Sequence, residues 1–188
     1  MERVPWIGGA GHATAARLRR ADPGAWSRAF TFGFVRHPLD RLVSAYLHYA
    51  QRPLPPNLDL EHPRAWALYI VKMHAAAVRS GYEALGFRQF LHRFDLAWFA
   101  MNTNHFRPQV DFLQDAGVTI VDFVGRYERL QLDWAQVCQA AVQPVLALPA
   151  INSGKRESSW ATYYADDVRA LDVARRVYAA DFVAWGYE

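Results

Sequence analysis

Residues 32–46 read Phe-Gly-Phe-Val-Arg-His-Pro-Leu-Asp-Arg-Leu-Val-Ser-Ala-Tyr. The apolar run from Phe30 to Val35, rich in aromatic and β-branched residues, predicts a buried strand that ends in Arg36. A helix is predicted from Pro38, carrying Arg41, Ser44 and Tyr46. Arg36 then stands at the carboxyl end of the strand and Ser44 about two turns into the helix, so both can face one crevice. The helix start adds backbone N–H groups without partners and the positive end of its dipole. A guanidinium, a hydroxyl and a helix N-terminus converging at a strand end make a site for a phosphate. The plainer alternative for Arg36 and Ser44 is helix capping and a surface ion pair. Asp40 and Arg41 can equally form a solvated helix face, and Tyr46 reads as packing.

The flanks extend this strand–helix pattern. His12–Arg20 contains good helix formers with an apolar face at Ala13, Ala16 and Leu18, and Asp22-Pro23-Gly24 is read as its stop. The helix Leu39–Gln51 is followed by a Pro-rich loop, Arg52–Pro63, and by predicted helices at Arg64–Arg79 and Gly86–Phe94. Thr119–Val124 predicts a second strand, ending in Gly125-Arg126-Tyr127-Glu128, and Leu130–Val142 a helix. Val145–Ile151 is read as a short third strand leading into the loop Asn152-Ser-Gly-Lys-Arg156. Trp160–Trp185 is read as largely helical, with an apolar stripe at Val168, Leu171, Val173 and Val177. Strands separated by helices predict a helix-rich α/β fold, a parallel sheet flanked by helices.

Composition bounds the function. With 188 residues, 52% hydrophobic and 21% charged, the chain is expected to form one domain, residues 1–188, with a sizeable core. A net charge of +3 fits an anionic small ligand or acidic glycan better than a nucleic acid. The only lysines are Lys72 and Lys155. The arginines that carry the rest of the positive charge suit bidentate contact with phosphate or sulfate, although a GC-rich genome gives the same bias. Cys138 is the only cysteine, so no intrachain disulfide is possible, and no Cys/His metal framework is visible. With no secretory signal and no apolar run long enough to span a bilayer, a soluble, cytoplasmic protein is expected.

The 32–46 stretch strongly resembles the 3′-phosphate-binding motif of sulfotransferases that use 3′-phosphoadenosine 5′-phosphosulfate (PAPS). That motif is an apolar strand followed by Arg-x-Pro-x-x-Arg-x-x-Ser-x-Tyr, matched here from Arg36 to Tyr46. Other stretches fall in the order that family shows. They are His12-Ala-Thr-Ala, Arg107-Pro-Gln109, Asp122-Phe-Val-Gly-Arg-Tyr-Glu128, Asn152-x-Gly-x-Arg156, Tyr163-Tyr164 and Asp181-Phe-x-x-x-Gly186-Tyr187. Together they look like the bacterial branch of the Golgi-type carbohydrate sulfotransferases.

The resemblance implies a P-loop-type α/β fold, PAPS as sulfuryl donor, a carbohydrate acceptor and no metal. It implies that Arg36 and Ser44 bind the 3′-phosphate, with Lys155 and Arg156 in a loop around the adenosine. Such enzymes carry a second element near the N-terminus, a strand and a Pro-Lys-x-Gly-Thr-like loop that cradles the 5′-phosphosulfate. No lysine precedes Lys72, and the nearest substitute, Gly8–Thr14, follows no apolar strand. The expectation is an N-terminally truncated domain that lacks its first strand and phosphosulfate loop. Because such a sheet exposes unpaired backbone groups, this chain alone is expected to be poorly stable. By family analogy, membrane association is an alternative to a free cytoplasmic location.

His105, Arg107 and Gln109 lie in Asn102-Thr-Asn-His-Phe-Arg-Pro-Gln109. An imidazole can take the proton of an acceptor hydroxyl near neutral pH, which makes His105 a candidate general base; the alternative is a structural or exposed histidine. Arg107 and Gln109 are candidates for orienting the sulfuryl group or an acidic glycan. His12 is a second candidate base by its place in the family pattern. Lys155 and Arg156 read alternatively as an exposed basic loop, and Glu128 as a partner of Arg126 or Arg129. Trp66, Trp98 and Phe106 either stack on a sugar or belong to the core. Two functions follow: a PAPS-dependent carbohydrate sulfotransferase, or an inactive remnant that binds 3′-phosphoadenosine nucleotides as a binding module. The absence of any Gly-x-x-x-x-Gly-Lys-[Ser/Thr] sequence argues against a P-loop kinase.

Overall fold

The computed structural model describes residues 12–51, 57, 59, 61–76, 83–148 and 159–188. In chain order the elements are α1 (Ala15–Ala21), α2 (Pro23–Arg28), β1 (Phe32–Val35), α3 (Pro38–Gln51), α4 (Pro63–Ala76), α5 (Glu83–Arg93), α6 (Leu96–Asn102) and α7 (Val110–Leu113). They continue with β2 (Gln114–Asp115), β3 (Val118–Thr119), β4 (Phe123–Arg126), α8 (Leu130–Ala140), α9 (Ala161–Tyr164), α10 (Val168–Val177) and α11 (Ala179–Trp185). Among the described residues this is a mixed α/β arrangement dominated by helix, with one parallel strand pair. Its described residues fall into two compact units, 12–36 with 109–148 and 37–108 with 159–188.

In the first unit β1 pairs with β4 in parallel, from Phe32↔Phe123 to Val35↔Arg126. The register is fixed at its start. The Asp122 carboxylate accepts from the backbone N–H and the hydroxyl of Thr31, both at 2.7 Å, and those two bonds hold its carboxyl below the usual range. Gly125 is required by close approach: a Cβ there would stand 2.5 Å from the Phe34 ring. Val118–Thr119 belongs instead to the β2–β3 hairpin, whose turn residues Ala116 and Gly117 both have positive φ. The strand expected at Thr119–Val124 is therefore displaced towards the C-terminus.

Two further expectations change here. Asp22-Pro23-Gly24 does end α1, but the Asp22 carboxylate accepts from Ala25 N–H at 2.7 Å and Pro23 sits in the first turn, so the same residues open α2. Residues 145–148 are not a strand. Val145 and Leu146 are exposed, Pro144 lacks a donor, and the Leu146 carbonyl accepts from the Trp134 indole at 2.8 Å. The remainder of Val145–Ile151 lies outside the described residues.

The second unit is an aromatic-rich helical core. Tyr46, Phe87, Phe90, Phe99, Phe106, Tyr163 and Tyr178 are all buried in one cluster. Phe90 touches Tyr46, Phe94, Phe99 and Phe106, with centroid distances of 5.5, 5.7, 5.0 and 5.8 Å. Tyr46 is packing, as its place on α3 predicts. The 160–185 region is largely helical, as expected, and is divided into α9, α10 and α11; Asp166 turns left-handed and Asp167 caps the start of α10. On α10 the buried face is Ala170 and Ala174, followed one turn on by Tyr178, while Val168 is 72% exposed. Of the expected stripe, Leu171, Val173 and Val177 do pack, half-buried, against the core, and Val168 is the one member that stands off it.

Asp167 ties α10 to α5. Its carboxylate accepts from Ala170 N–H at 2.9 Å and meets His92 Nε2 at 2.7 Å. Burial pushes this carboxyl up, but the Ala170 bond, His92 and Arg88 outweigh it and hold it below its ordinary value of 3.8. A depressed carboxyl contributes stability that is present above its unfolded value and lost as pH falls through the folded one. Asp167→Asn keeps the cap acceptor and removes the charge. It should lower stability by about 1 kcal/mol near neutral pH. Thermal melts at neutral and strongly acidic pH check this: the gap to wild type must close in acid.

Candidate functional site

In parallel α/β folds ligands bind beyond the carboxyl ends of the strands. In the first unit that end is marked by Arg36, one residue past β1, and Tyr127, one residue past β4. The Arg36 guanidinium carbon stands 4.5 Å over the Tyr127 ring centre. The Arg36 backbone N–H donates to Gln109 Oε1, and its carbonyl accepts from Gln109 Nε2, both at 2.8 Å. Gln109 is buried, and both ends of its carboxamide are engaged with the backbone of Arg36. Behind β4, Asp133 is 1% exposed, accepts from Arg126 N–H at 2.6 Å and pairs with Arg129 at 3.3 Å. Arg129 thus answers to Asp133, and Glu128 is exposed.

His12 also belongs to the first unit. It is exposed, with φ of 74°, just ahead of the Thr14 cap of α1.

In the second unit α3 presents Arg41, Ser44 and His48 at helical spacing, so the three share one side. That side meets the segment 104–106. Arg41 Nη2 donates to the Asn104 carbonyl at 3.2 Å, and the His48 and His105 rings lie 4.4 Å apart at 31°. Tyr49 packs its edge on His105 at 5.4 Å and also contacts Phe106. Ser44 is half-buried. Asp40 is buried and Arg41 half-buried, so this is not the solvated face that their charges allow.

Phe106 is fully buried, and its carbonyl accepts from the Tyr178 hydroxyl at 2.6 Å. Burial raises the Tyr178 phenol, with Arg41 opposing, and burial likewise raises Tyr164, whose hydroxyl donates to the Leu39 carbonyl at 3.2 Å. Both phenols remain protonated donors. Arg107 is half-buried and its N–H donates to the Thr103 carbonyl at 3.0 Å. Trp66 and Trp98 pack on each other at 4.7 Å and on Phe99, so with Phe106 they belong to the core and its margin.

The structure therefore brings His105 to the Ser44-bearing side of α3, and Gln109 to Arg36. Arg36 and His12 are described in one unit, and Ser44, His105 and Arg107 in the other. Lys155 and Arg156 lie outside the described residues. Tyr127 and His48 are not among the sequence candidates. The signal for Tyr127 is its place one residue past a strand, the same place that singles out Arg36. Among the described residues no three His, Cys, Asp or Glu gather as metal ligands, and no helix is long and apolar enough to cross a membrane.

A parallel strand pair among many helices defines a mixed α/β protein. The chain matches the sulfotransferase family over residues 13–188, and it belongs to that family. No curated protein and no solved structure gives a significant match. Family membership makes sulfuryl transfer to an acceptor substrate the general chemistry.

Proposed function

We propose that this protein moves a sulfuryl group from PAPS to a carbohydrate hydroxyl, working as a single sulfotransferase-like domain of P-loop type. The observation that carries the reading is the Arg36–Tyr46 block, with Arg36 held at a parallel strand end in a chain of the sulfotransferase family. Arg36 and Ser44 bind the 3′-phosphate of the donor, and Lys155 and Arg156 close over the nucleotide. Arg107 orients the sulfuryl group or the acceptor. Gln109, a candidate for the same task, is engaged instead with the Arg36 backbone and so serves the 3′-phosphate.

The acceptor oxygen attacks sulfur in line, the bond from sulfur to the bridging oxygen breaks, and 3′-phosphoadenosine 5′-phosphate leaves. The acceptor proton passes to a base, His105 or His12. Positioning and charge stabilisation carry the rate, as in phosphoryl transfer. The test is incubation of the purified chain with PAPS labelled in its sulfuryl group and a panel of oligosaccharides. Label in a glycan is the expected outcome. Tight binding of 3′-phosphoadenosine 5′-phosphate without transfer to any acceptor would instead make the chain a nucleotide-binding module.

A further inference from the structure

Two of the contacts that hold Arg36 lie within the first unit, and neither is part of the strand ladder. The ladder ends at Val35↔Arg126, and the place opposite Arg36 lies one step beyond it. The Gln109 carboxamide takes that place, accepting from the Arg36 N–H and donating to its carbonyl at 2.8 Å each. A side-chain amide thus does what the peptide of another strand would do, and it fixes the backbone from which the Arg36 side chain departs. The second hold is Tyr127, whose ring lies 4.5 Å beneath the guanidinium carbon. Tyr127 is 50% exposed, so this contact lies at the surface. The parallel register sets it beside Arg36, since each is the first residue past its strand.

We infer that Gln109 and Tyr127 are positioning residues that aim Arg36 at a phosphate group. Which phosphate rests on the reading above: the 3′-phosphate of an adenosine nucleotide. An arginine in solution samples many rotamers, and ordering it on binding reduces affinity. Here the backbone is fixed by one side chain and the guanidinium restrained by another before any ligand arrives. A ring beneath the guanidinium restrains it through cation–π attraction, without requiring its N–H groups as donors.

The experiment titrates the full chain with 3′-phosphoadenosine 5′-phosphate and, separately, with adenosine 5′-monophosphate, which lacks only the 3′-phosphate. Tyr127→Leu should weaken the first about fivefold and leave the second unchanged, and Tyr127→Phe, which keeps the ring, should bind both as wild type does. Gln109→Ala should weaken the first about tenfold with the same selectivity. Equal weakening of both nucleotides in Tyr127→Leu overturns the inference, because a packing or adenine-stacking role would act on both. So does an unchanged preference for the 3′-phosphate in Tyr127→Leu. If Gln109→Ala does not fold, Tyr127→Leu decides alone, since its half-exposed site tolerates truncation. Arg36→Ala separates the two levels. If it keeps the preference for the 3′-phosphate, the donor-site reading fails; if it erases the preference while both positioning variants retain it, only the present inference fails.

Discussion

Arg36→Ala is expected to weaken binding of 3′-phosphoadenosine 5′-phosphate by about 100-fold or more while the protein stays folded. Arginine–phosphate bonds are charge-assisted and often bidentate, and truncating one partner of such a pair costs about 2–5 kcal/mol. The fold should tolerate the change because its backbone bonds to Gln109 do not use the guanidinium, and the lost Tyr127 contact lies at the surface. Arg36→Lys keeps the charge but loses the planar fork, so it should fall between wild type and alanine. Ser44→Ala removes one hydroxyl and should weaken binding only about tenfold. Calorimetric titration gives the affinities and thermal melting certifies the fold. A folded Arg36→Ala protein that binds the nucleotide as wild type does would remove Arg36 from the donor site, and with it the observation on which the function rests.

What the sequence makes legible follows from how far each signal reaches. β1, α3, α5 and α8 are read from composition and period within a few residues, and their ends shift only slightly; the helix expected at Arg64–Arg79 begins at Pro63, and its expected end lies outside the described residues. The errors lie where a distant partner decides. Thr119–Val124 has the make-up of a strand, yet pairing begins at Phe123, because Asp122 is bonded to Thr31, 91 residues away. Val168 has the size of a core residue, but the neighbours of α10 admit Ala170 and Ala174 instead.

The site divides in the same way. Arg36 and His105 are recognisable by chemical type. Nothing local announces that Gln109 would spend its carboxamide on a backbone 73 residues back, or that His48 would pack against His105. Asp22-Pro23-Gly24 shows the converse: the residues do mark a break, but a cap and a proline start a helix as readily as they end one.

Replacing the general base should cost about 10²–10⁴ in turnover, as large an effect as any substitution here produces. Two histidines compete for the role, and their surroundings differ. His105 is half-buried, its ring seated against His48 and the edge of Tyr49, on the side of α3 that carries Ser44. His12 is exposed, on a backbone with positive φ. A base works by being held within reach of the proton it removes, so the seated ring has the advantage from geometry and the exposed one only from its place in the family pattern. His105→Ala should therefore lower kcat by that factor with the affinity for 3′-phosphoadenosine 5′-phosphate unchanged, and His12→Ala by less than tenfold. The pH profile supplies the control that a merely structural loss would not reproduce. A neutral imidazole must accept the proton, so the wild-type rate falls on the acid side, and that limb should vanish in the variant that has lost the base. The reverse ranking would move the role to His12. A drop below tenfold in both variants, with the acid limb intact, would exclude both histidines and leave the proton to another group.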